Sequence, residues 1–511
     1  MNNDEIPPES VVVVIGAGAM GAGIAQVAAQ SGHEVLLFDA REGAARAAVQ
    51  RIGEQLKGRV DKGKTTAESV DETLRRLRPA GGLEQLAPAK LLIEAIVEDL
   101  AAKQSLFTSL EAIVDDDAIL ATNTSSISIT AIGAQLRRPE RLVGMHFFNP
   151  AVVMPLVEVV SGAATSARTA GLVYALAERW GKTPVHARST PGFIVNRLAR
   201  PFYSEALRLL QEGVASAATL DEIVRVSGGF RMGPFELMDL IGLDVNYSVT
   251  RSVFDAFYGD PRYAPSLIQL ELVNAGFLGR KSGRGFFDYA DGATKPDPDR
   301  APVEDLPGQI ELNVDHPFGR ALASRLGAAE IPYAAVGCEA GEQWVAKTGA
   351  AILAVTDGRS ASRRAREEGV DNMTLMDLML DPATASGVAI AHSARCTPEA
   401  RSATVGLLQA AGLVVYPLVD SPGLAVMRIV AMLANEACDA VHQRVCTASA
   451  ADIAMRGGVN YPIGPIAWAD RLGVRAVLDV VDHLHAHYAE PKYRASPRLR
   501  HMHWSGEGFY D

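Results

Sequence analysis

Residues 11–21 constrain the fold more than any other part of the chain. Val11-Val12-Val13-Val14-Ile15 is an unbroken β-branched run, which suits a strand buried on both faces. It leads directly into Gly16-Ala17-Gly18-Ala19-Met20-Gly21 and then into a helix-forming stretch at 22–32. A second strand-like run, EVLLF at 34–38, ends at Asp39. A glycine-rich turn alone is common; one bracketed by a strand, a helix and a second strand ending in an acid is far more restrictive. Gly16 permits the tight turn, Gly18 lets a pyrophosphate approach the backbone, and Gly21 lets the helix pack on the strand. Ala19 and Met20 open that helix, whose N-terminal amides and dipole favour negative charge. Asp39 is placed to accept adenosine ribose hydroxyls and to repel a 2′-phosphate, so NAD is favoured over NADP. Arg41 is the one neighbour that would suit the phosphate. The bland alternative is a plain α/β turn with a surface aspartate.

Further strand signals follow at 91–96, 118–121, 142–147 and 156–160, with helical stretches at 43–60 and 100–113. Strands alternating with helices indicate a doubly wound, mostly parallel sheet. Residues 1–190 are therefore expected to form one Rossmann-type α/β domain that binds a dinucleotide. The first crossover helix carries Arg51, Lys57, Arg59, Lys62 and Lys64. A solvated helix face is the simpler reading of these residues, and a meeting point for a phosphorylated ligand is the functional one.

Composition removes several classes. The 511 residues carry 49 basic and 60 acidic side chains, a net charge of −11, which argues against a protein that must neutralise nucleic-acid phosphates. No apolar run reaches the roughly 18 residues of a membrane span, and the polar, acidic start MNNDEIPPES has no signal-peptide character. Cys338, Cys396, Cys438 and Cys446 form no CxxC pair, which fits reduced thiols and a cytoplasmic location better than a disulfide framework or zinc site.

Polar residues at strand ends carry the chemistry of such sheets. After the strand at 118–121 comes Thr122-Asn123-Thr124-Ser125-Ser126, and at the end of the strand at 142–147 comes His146-Phe147-Phe148-Asn149-Pro150. Glu158 interrupts the apolar run Leu156-Val157-Glu158-Val159-Val160. A buried carboxylate needs a partner, and His146 supplies one if the two strands are neighbours. A base oriented by a carboxylate would take a proton from an alcohol while NAD takes the hydride. Taken alone, His146 is more often a structural histidine; Glu158 and the glycine-rich fingerprint reverse that reading.

These residues resemble the L-3-hydroxyacyl-CoA dehydrogenase family. The resemblance runs through Gly16–Gly21, EAIVE (94–98), NTSS (123–126), HFFNP (146–150), LVEV (156–159), PGFIVNR (191–197) and KSGRGFFDY (281–289). It implies that His146 is the general base and that Glu158 orients it. It implies also that Ser125 hydrogen-bonds the substrate 3-oxygen and that Asn149 and Asn196 polarise groups around the reacting carbonyl. Glu98, Lys103 and Lys281 match positions that contact NAD, and Ser125 and Asn149 border the same cofactor. Lys62 matches a position that meets coenzyme A, by counting from Asp39. The chain departs from the family pattern between His146 and Glu158, where Val152 replaces a proline and Pro155 a lysine. That departure bears on loop shape and acyl-chain preference.

The second half repeats part of the first. An offset of 231 residues pairs Pro191-Gly192 with Pro422-Gly423, Arg197 with Arg428, Glu205-Ala206 with Glu436-Ala437, Asp221 with Asp452 and Gly233-Pro234 with Gly464-Pro465. SGRGFFD (282–288) then pairs with SGEGFYD (505–511). Asn196 falls on Met427 and Lys281 on Trp504, so the second copy reads as structural. The expected organisation is a helical domain at 191–289 and a Pro- and Asp-rich linker at 290–310. A reduced α/β domain without a cofactor fingerprint at 311–415 and a degenerate helical copy at 416–511 follow. The two copies are expected to pair within the chain as a pseudo-twofold dimer, with a homo-oligomer left open. His483 and His487 share a helix face but have no third ligand, so they read as a solvated face and no metal is expected.

The sequence thus predicts an NAD-dependent dehydrogenase of (S)-3-hydroxyacyl-CoA. Its long, duplicated form resembles the bacterial 3-hydroxyadipyl-CoA and 3-hydroxybutyryl-CoA dehydrogenases of phenylacetate catabolism. Two alternatives are a 3-hydroxyacid or 6-phosphogluconate-type dehydrogenase, and a crystallin-like structural protein that kept the fold.

Overall fold

The computed structural model describes residues 5–337 and 343–510, so Cys338, the first four residues and Asp511 lie outside the described residues. The chain divides into two units. One runs to Arg197 and takes in Gln443–Val459; the other comprises Leu198–His442 and the residues from Asn460 onward.

The first unit is built on eight strands: β1 (Val11–Ile15), β2 (Glu34–Phe38), β3 (Leu77–Pro79), β4 (Leu91–Glu94), β5 (Ile119–Thr122), β6 (Leu142–Phe147), β7 (Leu156–Ser161) and β8 (Thr183–Arg188). Their order is β3-β2-β1-β4-β5-β6-β7-β8, and every pairing is parallel except β6 with β7. The strand order reverses between β1 and β4, so the chain ends of those strands open the crevice where such sheets take ligands. Val12, Val13 and Val14 are fully buried, as expected for a strand covered on both faces. The helices Ala19–Gln30 and Ala44–Asp61 add Ile24, Ala28, Ala48 and Ile52 to the same core. The antiparallel β6–β7 pair sets His146 directly opposite Glu158.

The edge strand β8 explains why a segment from the second half belongs to this unit. Arg188 N donates to Val445 O at 2.8 Å, and the helix Ala448–Val459 packs against β7 and β8. A bare sheet edge is thereby covered. In the compact units Gln443–Val459 goes with the first sheet although the expected helical copy at 416–511 includes it, and the first unit runs past the expected boundary at 190 to Arg197.

The second unit holds a seven-stranded sheet in the order β10-β9-β11-β12-β13-β14-β15. Its strands are β9 (Glu311–Asn313), β10 (Ala334–Val336), β11 (Trp344–Thr348), β12 (Ala351–Val355), β13 (Met373–Met376), β14 (Gly387–His392) and β15 (Val414–Pro417). The 231-residue offset holds here too. Met376 lies opposite Ile390 as Met145 lies opposite Val159, and Gly387 opposite Val414 as Leu156 opposite Thr183. Val419 N donates to Val214 O at 3.1 Å, the counterpart of the Arg188–Val445 bond. Residues 290–310 are strapped down rather than loose: Asp299 Oδ2 accepts from Thr219 Oγ1 at 2.9 Å and Ala301 N donates to Val415 O at 2.8 Å. His483 is also not on a solvated face; it is half-buried with Nδ1 at 2.8 Å from Asp357 O.

Long helices Arg200–Gln211 and Val426–His442 pack together in this unit. The fully buried Glu205 meets Arg428 Nε at 2.7 Å, Lys492 Nζ at 2.7 Å and Tyr493 Oη at 3.0 Å. Its repeat counterpart Glu436 accepts from Tyr263 Oη at 2.6 Å and faces Arg262 at 3.5 Å. Among the described residues Cys396 and Cys446 are free thiols, and no helix is long and apolar enough to cross a membrane.

Burial opposes ionisation of Glu205, but Lys492 and Arg428 outweigh it and hold the carboxyl at about 2, below its ordinary 4.5. Such a depressed value contributes stability above pH 4.5 that is lost as pH falls towards 2. Glu205→Gln, which leaves Arg428 buried without its counter-charge, is expected to cost about 3–5 kcal/mol at neutral pH. In urea unfolding the gap between parent and variant should narrow across that acid window; a gap constant with pH would contradict the assignment.

Candidate active site

The turn after β1 is shaped by its glycines. A Cβ on Gly16, whose φ is +107°, would lie 2.3 Å from Ala95 O, and one on Gly21 would lie 1.8 Å from Gly16 O. A Cβ on Gly18 would meet nothing within 4 Å, which leaves open space above the backbone at the start of helix Ala19–Gln30. Asp39 closes the turn by accepting from Ala17 N at 2.8 Å. It also accepts from Arg41 N at 2.9 Å and pairs with the exposed Arg41 guanidinium at 3.2 Å. Burial raises the Asp39 pKa, but these hydrogen bonds prevail and hold it below the ordinary carboxylate range.

Beside this turn lies a buried polar network under the loops after β4 and β5. Glu94, fully buried, accepts from Lys103 Nζ at 2.5 Å and Ile96 N at 2.7 Å on one oxygen, and from Thr122 Oγ1 at 2.6 Å on the other. Lys103 is itself 1% exposed and reaches Glu98 at 3.3 Å. Lys103, expected at the cofactor, has its ammonium engaged by two glutamates. Glu98 in turn organises the Ser125 loop. Its Oε1 accepts from Thr124 Oγ1 at 2.6 Å, Ser125 N at 2.9 Å, and Ser126 N and Oγ at 3.0 Å. Desolvation works against the Glu98 carboxylate, but the Thr124 hydrogen bond and the Lys103 charge keep its pKa low.

The centre of the site is the facing pair on β6 and β7. His146 Nδ1 lies 2.6 Å from Glu158 Oε2, and both residues are buried. The second oxygen of Glu158 accepts from Ile194 N at 3.0 Å and Val195 N at 2.9 Å. A carboxylate this filled holds the Nδ1–H tautomer and leaves Nε2 as the free basic nitrogen. Phe148 tilts against the imidazole at 4.6 Å between ring centres, and Phe193 meets it edge-on at 5.8 Å. Phe193 sits at φ +47° after Gly192 at +75°, a turn that aims the two amides at Glu158. Asn123 Oδ1 accepts from Phe147 N at 2.8 Å and ties the two loop sets together.

Ser125 and Asn196 are brought together, with Asn196 Nδ2 donating to Ser125 O at 3.4 Å. Asn149 is exposed and precedes Pro150 across a cis peptide bond. The divergent loop that follows is clasped by Lys182, whose Nζ donates to Ala151 O at 2.6 Å and Met154 O at 3.0 Å. Lys62 lies exposed just past helix Ala44–Asp61. Lys281 belongs to the other unit, where it pairs with Asp244 at 2.5 Å. At the 231-residue offset Asp377 stands at the position of His146 and Ala389 at that of Glu158. Asp377 instead accepts from Ala425, Val426 and Met427 amides at 2.7–2.9 Å, so the second sheet carries no such pair.

Residues 11–190 match the family model described as "3-hydroxyacyl-CoA dehydrogenase, NAD binding domain". Residues 192–289 and again 423–508 match the corresponding C-terminal domain. Residues 353–422 match a "3-hydroxybutyryl-CoA dehydrogenase reduced Rossmann-fold domain". The 3-hydroxyadipyl-CoA dehydrogenase of Escherichia coli K12 is 43% identical over 96% of each chain. The chain belongs to the 3-hydroxyacyl-CoA dehydrogenase family. A crystal structure of an E. coli 3-hydroxybutyryl-CoA dehydrogenase superposes with a TM-score of 0.88 at 42% identity, covering 98% of this chain and 99% of that one. A probable 3-hydroxybutyryl-CoA dehydrogenase of Bacillus subtilis is 45% identical over 96% of its length but only 54% of this chain.

As a member of this family the protein is an NAD-dependent oxidoreductase. The chain's own residues fit the cofactor: the open space over Gly18 at the helix start would suit a pyrophosphate, and Asp39 just after β2 would suit a ribose. Among the described residues no group of His, Cys, Asp or Glu is arranged to hold a metal ion. Gly21→Ala is expected to displace the Gly16 carbonyl and weaken NADH binding by on the order of 10²-fold or more, comparable to the loss from a small misplacement in a tight site. Fluorescence titration with NADH checks this, and parent-like affinity would contradict it.

Proposed function

We propose that His146 Nε2 is the proton acceptor for the C3 hydroxyl of an (S)-3-hydroxyacyl-CoA, with Glu158 holding the imidazole and stabilising its charge. The observation that carries the reading is the 2.6 Å Nδ1–Glu158 contact inside a buried strand pair. NAD, when bound, supplies the hydride acceptor for C3. In the reverse direction the imidazolium returns the proton to the 3-oxygen. Ser125, held by Glu98, is the hydrogen-bond donor to that oxygen, and Asn196 and Asn149 polarise the neighbouring carbonyl. Lys281 is assigned to the cofactor and Lys62, with its basic neighbours on the first crossover helix, to the phosphates of coenzyme A.

For the acyl group we infer 3-hydroxyadipyl-CoA as the preferred substrate, because the E. coli relative matched over both halves carries that name. A 3-hydroxybutyryl-CoA substrate is the second reading, favoured by the name of the superposed structure. We infer further that the two helical copies pair within the chain. The reciprocal contacts Tyr493–Glu205 and Tyr263–Glu436 support that pairing. The reading assigns the protein to the cytoplasm.

Oxidation of NADH with acetoacetyl-CoA tests the chemistry. His146→Ala is expected to lower kcat by about 10²–10⁴-fold while NADH binding stays at the parent value. Absence of turnover in the parent, with NADH still bound, would overturn the acyl-CoA reading and favour a structural protein. The ratio of kcat/KM for 3-hydroxyadipyl-CoA and 3-hydroxybutyryl-CoA then decides between the two substrates.

A further inference from the structure

The helix Ala448–Val459 ends on two consecutive glycines before Val459, Gly457 and Gly458. Glycine in a helix costs about 1 kcal/mol relative to alanine, so a reason for two of them should be visible, and it is visible at Gly458. A Cβ there would lie 2.7 Å from Leu156 Cδ2, 3.0 Å from Val195 Cγ2 and 3.6 Å from Phe148 Cε1.

Each of those three residues is one step from the His146–Glu158 pair. Leu156 precedes Glu158 by two on β7 and so shares its face. Val195 N is one of the two amides that fill Glu158 Oε1. Phe148 is the ring that tilts against the imidazole. The same segment approaches the site at two further points. Gln443 Oε1 accepts from Nη1 of the buried Arg197, the residue after Asn196, at 2.8 Å. The Cys446 thiol on the same segment is pushed up to about 12, first by burial and then by the charge of Glu158.

We propose that Gln443–Val459, a piece of the otherwise degenerate second repeat, is a positioning element of the catalytic site, with Gly458 setting how closely Leu156, Val195 and Phe148 hold the His146–Glu158 pair. The proposal rests on the assignment of that pair as the proton-transfer group. It gives the second repeat a catalytic consequence although its own sheet has lost the pair. The repeat counterpart of Gly458 is Ser227, whose hydroxyl donates to Gly387 O at 2.8 Å. There Gly387 stands at the position of Leu156, so the obstructing side chain is absent and Ser227 is accommodated.

The test is steady-state kinetics of the full chain with acetoacetyl-CoA and NADH. Gly458→Ala is expected to lower kcat by about 10-fold or more with both KM values within about twofold of the parent, the split expected when reacting groups are misplaced and binding is intact. Gly457→Ala, whose added carbon meets Leu156 Cβ at 3.4 Å and Leu156 Cδ1 and Pro155 Cγ at 3.9 Å, all ordinary contacts, should stay close to the parent. Leu156→Ala combined with Gly458→Ala should recover part of the lost kcat, because it removes the nearest obstructing atom. Gln443→Ala changes an exposed side chain and carries the test if Gly458→Ala does not fold; it should lower kcat several-fold without moving the NADH affinity. Parent-like kcat in Gly458→Ala overturns the proposal and leaves the dehydrogenase reading standing, as does parent-like kcat in Gln443→Ala if the glycine variant is unfolded. No rescue in the double variant, or equal losses in kcat and in NADH binding, also overturns it. A parent without turnover overturns the dehydrogenase reading and this proposal with it.

Discussion

The buried carboxylate of Glu158 is the constraint on which the site depends. It cannot sit in an apolar strand unless both of its oxygens are filled, and they are filled from different parts of the chain. One takes the imidazole of His146 from the neighbouring antiparallel strand, and the other takes two amides from the turn at 193–195. A single side chain thus fixes the tautomer of the base, the spacing of β6 and β7 and the path of the chain towards Asn196. The turn is held in a conformation that costs a bulky residue like Phe193 free energy. The hydrogen bonds to Glu158 offset that cost.

The second repeat shows the same problem solved without chemistry. Leu424 at φ +52° follows Gly423 at +75°, the same turn as Gly192 and Phe193, and its amides again need a buried acceptor. Asp377 supplies it from the strand position of His146, and burial lifts its carboxyl to about 6 against the pull of those amides. The scaffold requirement, a buried acid under a strained turn, survived in both halves. The imidazole and its orienting carboxylate did not. What the second half gives the first is physical support: a hydrogen bond to the edge strand β8 and a helix whose glycines permit close approach.

Much of this was legible in the sequence where a local pattern had a single physical reading. The β-branched run before Gly16 marked a central strand, and an acid within LVEVV demanded a partner that only a neighbouring strand could offer. The repeat was visible because its helical module kept Pro-Gly, Arg and Gly-Pro at fixed spacing. Other features were hidden because their partners are distant in sequence. β3 and β8 are edge strands of mixed character, LRP and TPVHAR, without apolar runs. EAIVE pointed to Glu98 as a cofactor contact, but its grip on the Ser125 loop spans loops after different strands, and nothing local marks it. The resemblance places Lys103 at the cofactor, and nothing local marks the buried Glu94 that accepts from it. MTLM at 373–376 matches no motif of β6, and only the strand register reveals the equivalence. That Gln443–Val459 leaves its own repeat follows from the exposed edge of β8, which no local pattern announces.

The most direct measurement is the single-turnover rate of NADH oxidation by acetoacetyl-CoA in the Glu158→Gln variant. Glutamine keeps the size of the side chain and an oxygen for the Ile194 and Val195 amides, but it removes the charge that orients and stabilises His146. The account expects the chemical step to slow on the order of 10²-fold or more with NADH affinity unchanged. A step as fast as in the parent would show that Glu158 is a scaffold residue only, and would contradict the account at its centre.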